Sequence, residues 1–211
     1  MKFENLKEIR HPLVVHKLSL LRNKNTGRKE FKELIDEIAM LMTYEITRNL
    51  PLTEVDIETP LEKTKCKQVL DFQVVLVPIL RAGMGMVDGI LRIVPFAKIG
   101  HIGLYRDHKT LQPVSYYFKI PPLKENHLFI LIDPMLATGG SASFAADVLK
   151  QNGVKNIKFL NLISAPEGVA KFNEKHSDIE IYTCSLDREL NEKGYILPGL
   201  GDAGDRLYGT V

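Results

Sequence analysis

Cysteine is scarce in this sequence of 211 residues: Cys66 and Cys184 are the two present, and neither stands in a CxxC or Cys/His spacing. This argues against a disulfide framework or a structural zinc site and suits a reducing cytoplasm. Long apolar runs are also missing, since the run 74–80 is about a third of the roughly 20 residues that span a bilayer. The first residues form no apolar signal region. We therefore expect a cytoplasmic protein with no membrane association.

An excess of charge of one sign is missing as well. The chain carries 28 basic and 26 acidic side chains, a formal net charge of +2, which argues against nucleic acid as a partner. The fractions that are present, 45% apolar and 26% charged residues, are ordinary for a globular protein. At this length we expect one domain, 1–211.

The apolar residues follow two periodicities along the chain. Spacings of three and four predict an amphipathic helix over 29–49, capped by Asn25 or Thr26 and stopped by Pro51. Short apolar segments then alternate with helical patterns. We predict strands at 74–80, 97–105, 127–132, 157–163 and 179–184, and helices at 84–94, 140–151 and 166–174. Such alternation is typical of a doubly wound α/β fold with a mostly parallel sheet, in which ligands bind beyond the carboxyl ends of the strands.

One segment, 106–122, interrupts this alternation. It is first polar, then aromatic, and contains Pro113, Pro121 and Pro122. Two interpretations fit the pattern equally well. The segment is either a flap that closes over an active site or an ordinary surface hairpin.

The stretch 128–143 has the composition of a phosphate-binding turn. An apolar strand ends in Asp133, and Thr138, Gly139, Gly140 and Ser141 precede a predicted helix. The first N–H groups of a helix lack intrahelical partners, and glycines let a phosphate approach them. A simple helix cap explains the hydroxyls of Thr138 and Ser141 but not the carboxylate of Asp133. That carboxylate suits a ligand with hydroxyl groups as well as a phosphate, such as a ribose 5-phosphate.

Two commoner nucleotide motifs do not fit. A kinase-type P-loop needs a lysine after its last glycine, and none follows Gly140. The glycines at Gly83, Gly85 and Gly89 approach the dinucleotide fingerprint, but the third comes one residue late. They are weak evidence for NAD binding.

Four segments carry a resemblance to a known family. FILIDPMLATGGS (129–141) resembles the phosphoribosyl diphosphate loop of the type I phosphoribosyltransferases, with Pro134 where most of them have a second acid. That departure is similar to the uracil phosphoribosyltransferase branch. VPILRAGMGM (77–86) resembles its diphosphate loop, GLYRD (103–107) the start of its flap, and YILPGLGDAGDRLYGT (195–210) its C-terminal uracil loop. The four segments appear in the order of that family.

The resemblance implies the transfer of phosphoribose from 5-phosphoribosyl 1-diphosphate to uracil, giving UMP and diphosphate, with Mg²⁺ as cofactor. It implies catalytic roles for Asp133, Arg106 and Asp202. The residues it assigns to phosphoribosyl diphosphate are Arg81, Arg106, Asp133, Pro134, Met135, Leu136, Ala137, Thr138, Gly139, Gly140, Ser141 and Asp202. Those it assigns to uracil are Ile196, Gly201, Asp202 and Ala203. No residue is named as a direct metal ligand, because Mg²⁺ would be bound mainly through the substrate.

The resemblance also divides the chain into an N-terminal arm and helix (1–50), a flap (106–122) and a uracil-binding hood (186–211). It suggests a homodimer or higher homo-oligomer and leaves activation by GTP open. Two alternatives stay open from the sequence alone. One is a regulatory protein that senses nucleotides and controls RNA, against which the near-neutral charge counts. The other is a transferase for another base, such as a purine.

Overall fold

The chain is described by a computed structural model that covers residues 3–69, 73–106 and 113–210. The α-helices of this part are α1 (Pro12–Arg22), α2 (Arg28–Ile46), α3 (Val87–Ile93), α4 (Gly140–Gln151), α5 (Pro166–His176) and α6 (Ala203–Tyr208), and a 3-10 helix spans Ala82–Met86. The strands are β1 (Leu6–Glu8), β2 (Thr53–Glu58), β3 (Lys63–Gln68), β4 (Gln73–Leu80), β5 (Lys98–Ile99), β6 (His101–Arg106), β7 (Pro113–Lys119), β8 (His127–Ile132), β9 (Met135–Leu136), β10 (Ile157–Leu160), β11 (Ile163–Ser164), β12 (Glu180–Thr183), β13 (Ser185–Leu186), β14 (Glu189–Leu190) and β15 (Ile196–Leu197).

A mostly parallel sheet forms the centre of the molecule, as predicted. Its strand order is β1-β12-β10-β8-β4-β6-β7, and β5 also pairs with β4. Every pairing in this sheet is parallel except that of β6 with β7. Because parallel strands need long crossovers, the helices lie on the faces of the sheet.

Side chains alternate between the two faces of the central strands, and each face has its own core. Val74 and Leu76 of β4 join a cluster that includes residues of α1, α2 and α3. Val75 and Val77 join a second cluster that includes residues of α4 and α5. This two-sided burial explains why β4 and β8 consist almost entirely of apolar residues. Because β4 and β8 pair in parallel, their carboxyl ends lie at the same edge of the sheet.

Several predicted boundaries were wrong. Helix α2 is preceded by Gly27 rather than capped by Asn25 or Thr26, because the Thr26 hydroxyl donates to the Leu20 carbonyl instead. The predicted strand 157–163 is split into β10 and β11. The antiparallel ribbon of β2 and β3 was not predicted at all.

The segment predicted as a flap begins at Arg106, the last residue of β6, and includes β7, which pairs antiparallel with β6. Its residues 107–112 lie outside the described part of the chain. Within that part, no helix is both long and apolar enough to cross a bilayer.

Candidate active site

A cleft of about 400 Å³ opens beyond the carboxyl end of β8. Two distant parts of the chain line it. One is the predicted phosphate loop with the first turn of α4, and the other is the segment around β15 and the start of α6. The lining residues are Asp133, Met135, Leu136, Ala137, Thr138, Gly139, Gly140, Ser141, Ala142, Lys193, Gly194, Tyr195, Ile196, Gly201 and Asp202. Residues that the resemblance assigns to two different substrates therefore share one cavity.

The phosphate loop is held by backbone contacts on its inner side. Strand β9 pairs with β11, which pairs with β13, so a small parallel sheet supports the loop. Helix α5 also packs closely against it, since a Cβ on Gly168 would lie 2.1 Å from the Ala137 carbonyl oxygen. The turn into α4 needs a left-handed residue, which Gly139 supplies with φ of 80°. These contacts fix where the first N–H groups of α4 point.

The start of α4 is suited to bind an anion. Gly139 precedes the helix, and within the described residues no side chain caps it, so the first N–H groups are left for a ligand. Thr138 and Ser141 add exposed hydroxyls. A Cβ built on Gly140 would have just the Thr138 hydroxyl within 4 Å, at 3.9 Å. The space in front of this turn therefore admits a phosphate close to the backbone.

Two carboxylates, Asp133 and Asp202, line the cleft. Burial, and to a smaller extent the charge of Asp202, raises the pKa of Asp133 to about 7, although the Met135 N–H donates to its carboxylate. Asp202 is exposed and caps α6, because its Oδ1 accepts from the Asp205 N–H at 2.9 Å. The pair thus combines a carboxyl that is partly protonated near neutral pH with one that is anchored at a helix start.

The other predicted residues are spread around this cleft. Ile196 is buried and lines it, whereas the Ala203 side chain is in the core beneath. Pro134 is buried behind the loop, and its carbonyl accepts from the N–H groups of Leu162 and Ile163. Of these three side chains, Ile196 forms part of the cleft wall, while Pro134 and Ala203 lie behind it.

Arg81, one of the two predicted arginines, does not line the cleft. The Arg81 side chain is exposed, and its guanidinium lies 5.8 Å from the centre of the Tyr208 ring. The Tyr208 hydroxyl donates to the Arg81 carbonyl at 2.9 Å, so α6 and the predicted diphosphate loop are joined. The backbone of Arg106 ends β6, but its side chain lies outside the described residues.

Sequence reasoning missed Lys193 and Tyr195 as lining residues. Lys193 is exposed and brings a positive charge to the cleft. Tyr195 also lines the cleft, and about half of its surface (47%) is exposed to solvent. A signal was present, because Lys193 and Gly194 directly precede the predicted uracil loop.

The donor set of the cleft fits a divalent ion that is bound mainly by substrate. No group of three or more His, Cys, Asp or Glu within residues 3–69, 73–106 and 113–210 could hold a metal ion. Mg²⁺ commonly uses one or two carboxylates together with substrate phosphates and water. Asp133 and Asp202 supply two such carboxylates.

Comparisons with known proteins identify the family of the chain. The sequence model of the family described as "Uracil phosphoribosyltransferase" matches residues 8–210. A protein of that name from Clostridium botulinum is 62% identical over 203 residues, which are 96% of this chain and 97% of the relative. A solved structure of the AQ2163 protein from Aquifex aeolicus is 37% identical, with a TM-score of 0.89 over 97% of this chain and 98% of that chain.

A more distant structure supports the fold alone. A hypoxanthine phosphoribosyltransferase from Staphylococcus aureus is 19% identical and has a TM-score of 0.51, covering 75% of this chain and 76% of that chain. The shared architecture is that of the type I phosphoribosyltransferases.

Proposed function

The chain belongs to the uracil phosphoribosyltransferase family, and from this premise we propose that it transfers phosphoribose from 5-phosphoribosyl 1-diphosphate to N1 of uracil. The products are UMP and diphosphate, so the enzyme is a pentosyltransferase of pyrimidine salvage. The observation that carries the proposal is that the phosphate loop and residues of the segment 193–202 line the same cleft.

Phosphoribosyl diphosphate would bind on the loop side of the cleft. The N–H groups at the start of α4, with the Thr138 and Ser141 hydroxyls, suit the 5-phosphate. The ionised Asp133 carboxylate suits the ribose hydroxyls, since it accepts hydrogen bonds only. Arg81, Arg106 and Lys193 are the cations proposed for the diphosphate, each charge-assisted bond contributing roughly 1.5–3 kcal/mol.

Bond exchange takes place at C1′ of the ribose. Uracil N1 forms the new bond to C1′, the bond from C1′ to the diphosphate oxygen breaks, and the N1 proton passes to solvent or a nearby base. Positive charge develops on the ribose, and the carboxylate of Asp202 can stabilise it from the edge of the cleft. Mg²⁺, when bound, neutralises charge on the departing diphosphate. Asp133 and Asp202, together with the substrate phosphates, would bind the Mg²⁺ ion.

Base selection is assigned to the hood, with Ile196 as an apolar wall and Gly201 to Ala203 as main-chain contacts. Uracil presents a carbonyl at O4 where cytosine presents an amino group. A fixed backbone N–H facing that edge would pair with uracil and would leave two donors facing each other with cytosine. A site strongly disfavours the ligand that leaves buried donors unpaired, which here is cytosine.

Incubation with labelled uracil, 5-phosphoribosyl 1-diphosphate and Mg²⁺ tests the proposal. We expect labelled UMP, with parallel reactions on cytosine, adenine and hypoxanthine remaining near background. Omission of Mg²⁺, with EDTA added, should abolish turnover. Formation of a purine nucleotide instead would favour the other-base alternative, and no nucleotide at all would overturn the proposed activity.

The family also leads us to propose a homo-oligomer. The ribbon of β2 and β3 supports it, because one face is apolar and half-buried, with Val55, Ile57 and Cys66, while the other is charged. An isolated two-stranded hairpin is marginally stable in water, so a partner surface over the apolar face would stabilise it.

Activation by GTP stays a prediction, which assays with and without GTP at limiting phosphoribosyl diphosphate can test.

A further inference from the structure

Gly199, in the middle of the hood, is held at both of its backbone polar groups by two side chains from elsewhere in the chain. Its N–H donates to Asp187 Oδ2 at 3.0 Å, and its carbonyl accepts from Arg22 Nη1 at 2.7 Å. Gly199 has φ of 65°, and a Cβ there would lie 2.1 Å from the Ile196 carbonyl oxygen. The path of the backbone is thus fixed two residues before the cleft-lining Gly201.

These two side chains form a bidentate ion pair in which Asp187 is buried and Arg22 is largely buried. Arg22 Nη1 lies 2.7 Å from Asp187 Oδ2, and Nη2 lies 2.5 Å from Oδ1. The Ser185 hydroxyl donates to Oδ1 at 2.7 Å. Burial would raise the pKa of Asp187, but the hydrogen bonds from Arg22 and Ser185 keep it below the ordinary value. Asp187 is therefore ionised, and its acceptor positions are filled.

Stability alone is a poor explanation for this pair. Removing two charges from water costs several kcal/mol per ion, so an apolar pair of similar volume often stabilises a fold as well. What an apolar pair could not do is bond the N–H and the carbonyl of one residue at once. The pair also joins α1, 165 residues away along the chain, to the end of β13 and the hood.

We propose that Arg22 and Asp187 are positioning residues for base recognition, because together they fix the hood backbone that contacts uracil. This inference rests on the proposed uracil phosphoribosyltransferase activity. Neither side chain lines the cleft, so they act through Gly199 and not on the substrate. The phosphate loop makes none of these side-chain bonds, and its contacts to phosphoribosyl diphosphate should persist without them.

The test compares Michaelis constants for the two substrates in five variants. They are Arg22→Met, Arg22→Lys, Asp187→Asn, Ser185→Ala and, as control, Lys17→Met. Lys17 is also on α1 and forms an ion pair with Glu37 at 2.6 Å, so its removal reports the loss of an α1 ion pair that does not touch the hood. Thermal unfolding and circular dichroism of each variant accompany the kinetics.

We expect Arg22→Met and Asp187→Asn to raise KM for uracil about tenfold or more, since a misplacement of about 1 Å can cost ~100-fold. KM for phosphoribosyl diphosphate should stay within about twofold in these variants. Arg22→Lys should be intermediate, because it keeps the charge but loses the planar fork. Lys17→Met should match wild type in both constants. The ratio of cytosine to uracil turnover should rise in the first two variants as the loop loses its fixed register.

Other outcomes overturn the inference in distinct ways. Equal changes in both Michaelis constants, or a loss of kcat alone, would mean a purely structural role. If Arg22→Met and Asp187→Asn do not fold, Arg22→Lys and Ser185→Ala decide, and an unchanged KM for uracil in both refutes positioning. Absence of UMP formation by the wild-type enzyme would instead refute the proposed function, because that result does not depend on any variant.

Discussion

At the scale of single residues, Asp133 is a carboxyl group for which the fold disfavours the charge that the proposed chemistry needs. Its burial and the neighbouring Asp202 bring its pKa from 3.8 to about 7. The ionised form is the one that accepts two ribose hydroxyls. A residue kept in an unfavourable charge state is a common sign of a site shaped for function at some expense of stability.

Replacement of Asp133 by Asn should therefore separate stability from activity. The folded state binds a proton at Asp133 more tightly than the unfolded chain does, so the stability that this group contributes is lost as pH rises from 3.8 through about 7. Asn stays neutral, and the variant should unfold at a higher temperature than wild type at about pH 8 but not at about pH 4. UMP formation should fall sharply. Thermal scans at both pH values measure the difference, and an equal shift at both would contradict the assigned pKa.

The neighbouring carboxylate can be tested independently by Asp202→Asn. Asn can still cap α6, so the fold should be retained. Loss of the negative charge should lower kcat/KM by more than about threefold, which is ~0.7 kcal/mol. It should also move the acidic limb of the pH profile to lower pH, because the charge of Asp202 raises the pKa of Asp133. A profile of kcat/KM against pH for both proteins checks this. An unchanged limb would mean that the two carboxylates do not interact.

At the scale of elements, the start of α4 offers two glycines with different constraints. A Cβ on Gly139 would meet the Gly168 carbonyl oxygen at 2.7 Å in a left-handed conformation, whereas a Cβ on Gly140 would enter open cleft. The first position serves the fold, and the second leaves room for the ligand.

Gly140→Ala should consequently fold like wild type but bind phosphoribosyl diphosphate poorly. Its methyl group would occupy the space proposed for the 5-phosphate, and we expect KM for this substrate to rise about tenfold, a cost of ~1.4 kcal/mol. KM for uracil should change little. Gly27→Ala is the control, since Gly27 lies at the start of helix α2, outside the cleft lining, and has nothing within 4 Å of a built Cβ. Normal phosphoribosyl diphosphate kinetics in Gly140→Ala would argue against phosphate binding at this turn.

The sequence predicted those elements whose residues are apolar on both faces, such as β4 and β8, and the helices with a clear period. It failed where tertiary hydrogen bonds decide the boundary. The predicted strand 97–105 is interrupted at Gly100, whose N–H donates to the Leu76 carbonyl. The strand 157–163 breaks where the N–H of Leu162 turns to the Pro134 carbonyl. The ribbon of β2 and β3 escaped because its residues alternate with charges and bury little.

At the scale of the whole molecule, the rule that ligands bind beyond the carboxyl ends of parallel strands was enough to place Asp133 in a site. It could not bring in the hood, which came from the resemblance to a family. Neither the strand-end rule nor the family resemblance predicted the ion pair of Arg22 with Asp187. Its partners are 165 residues apart and look like ordinary surface charges in the sequence. Such a pair forms only once the fold has brought α1 and the hood together.

The proposed oligomer can be tested on the amphipathic ribbon of β2 and β3. Asp56 and Lys65 occupy opposite positions of the two strands on the charged face. The adjacent Ile57 lies on the half-buried apolar face, opposite Thr64. Ile57→Lys would put a charge into the interface proposed over that face, where an unpaired buried charge is strongly unfavourable. Sedimentation velocity should show wild type as an oligomer and Ile57→Lys shifted toward the monomer. Asp56→Asn changes the neighbouring residue on the other face and should sediment as wild type does. A monomeric wild type would contradict the proposed oligomer. An Ile57→Lys variant that sediments like an oligomeric wild type would exclude this face as the subunit interface, because a buried lysine there would weaken the contact.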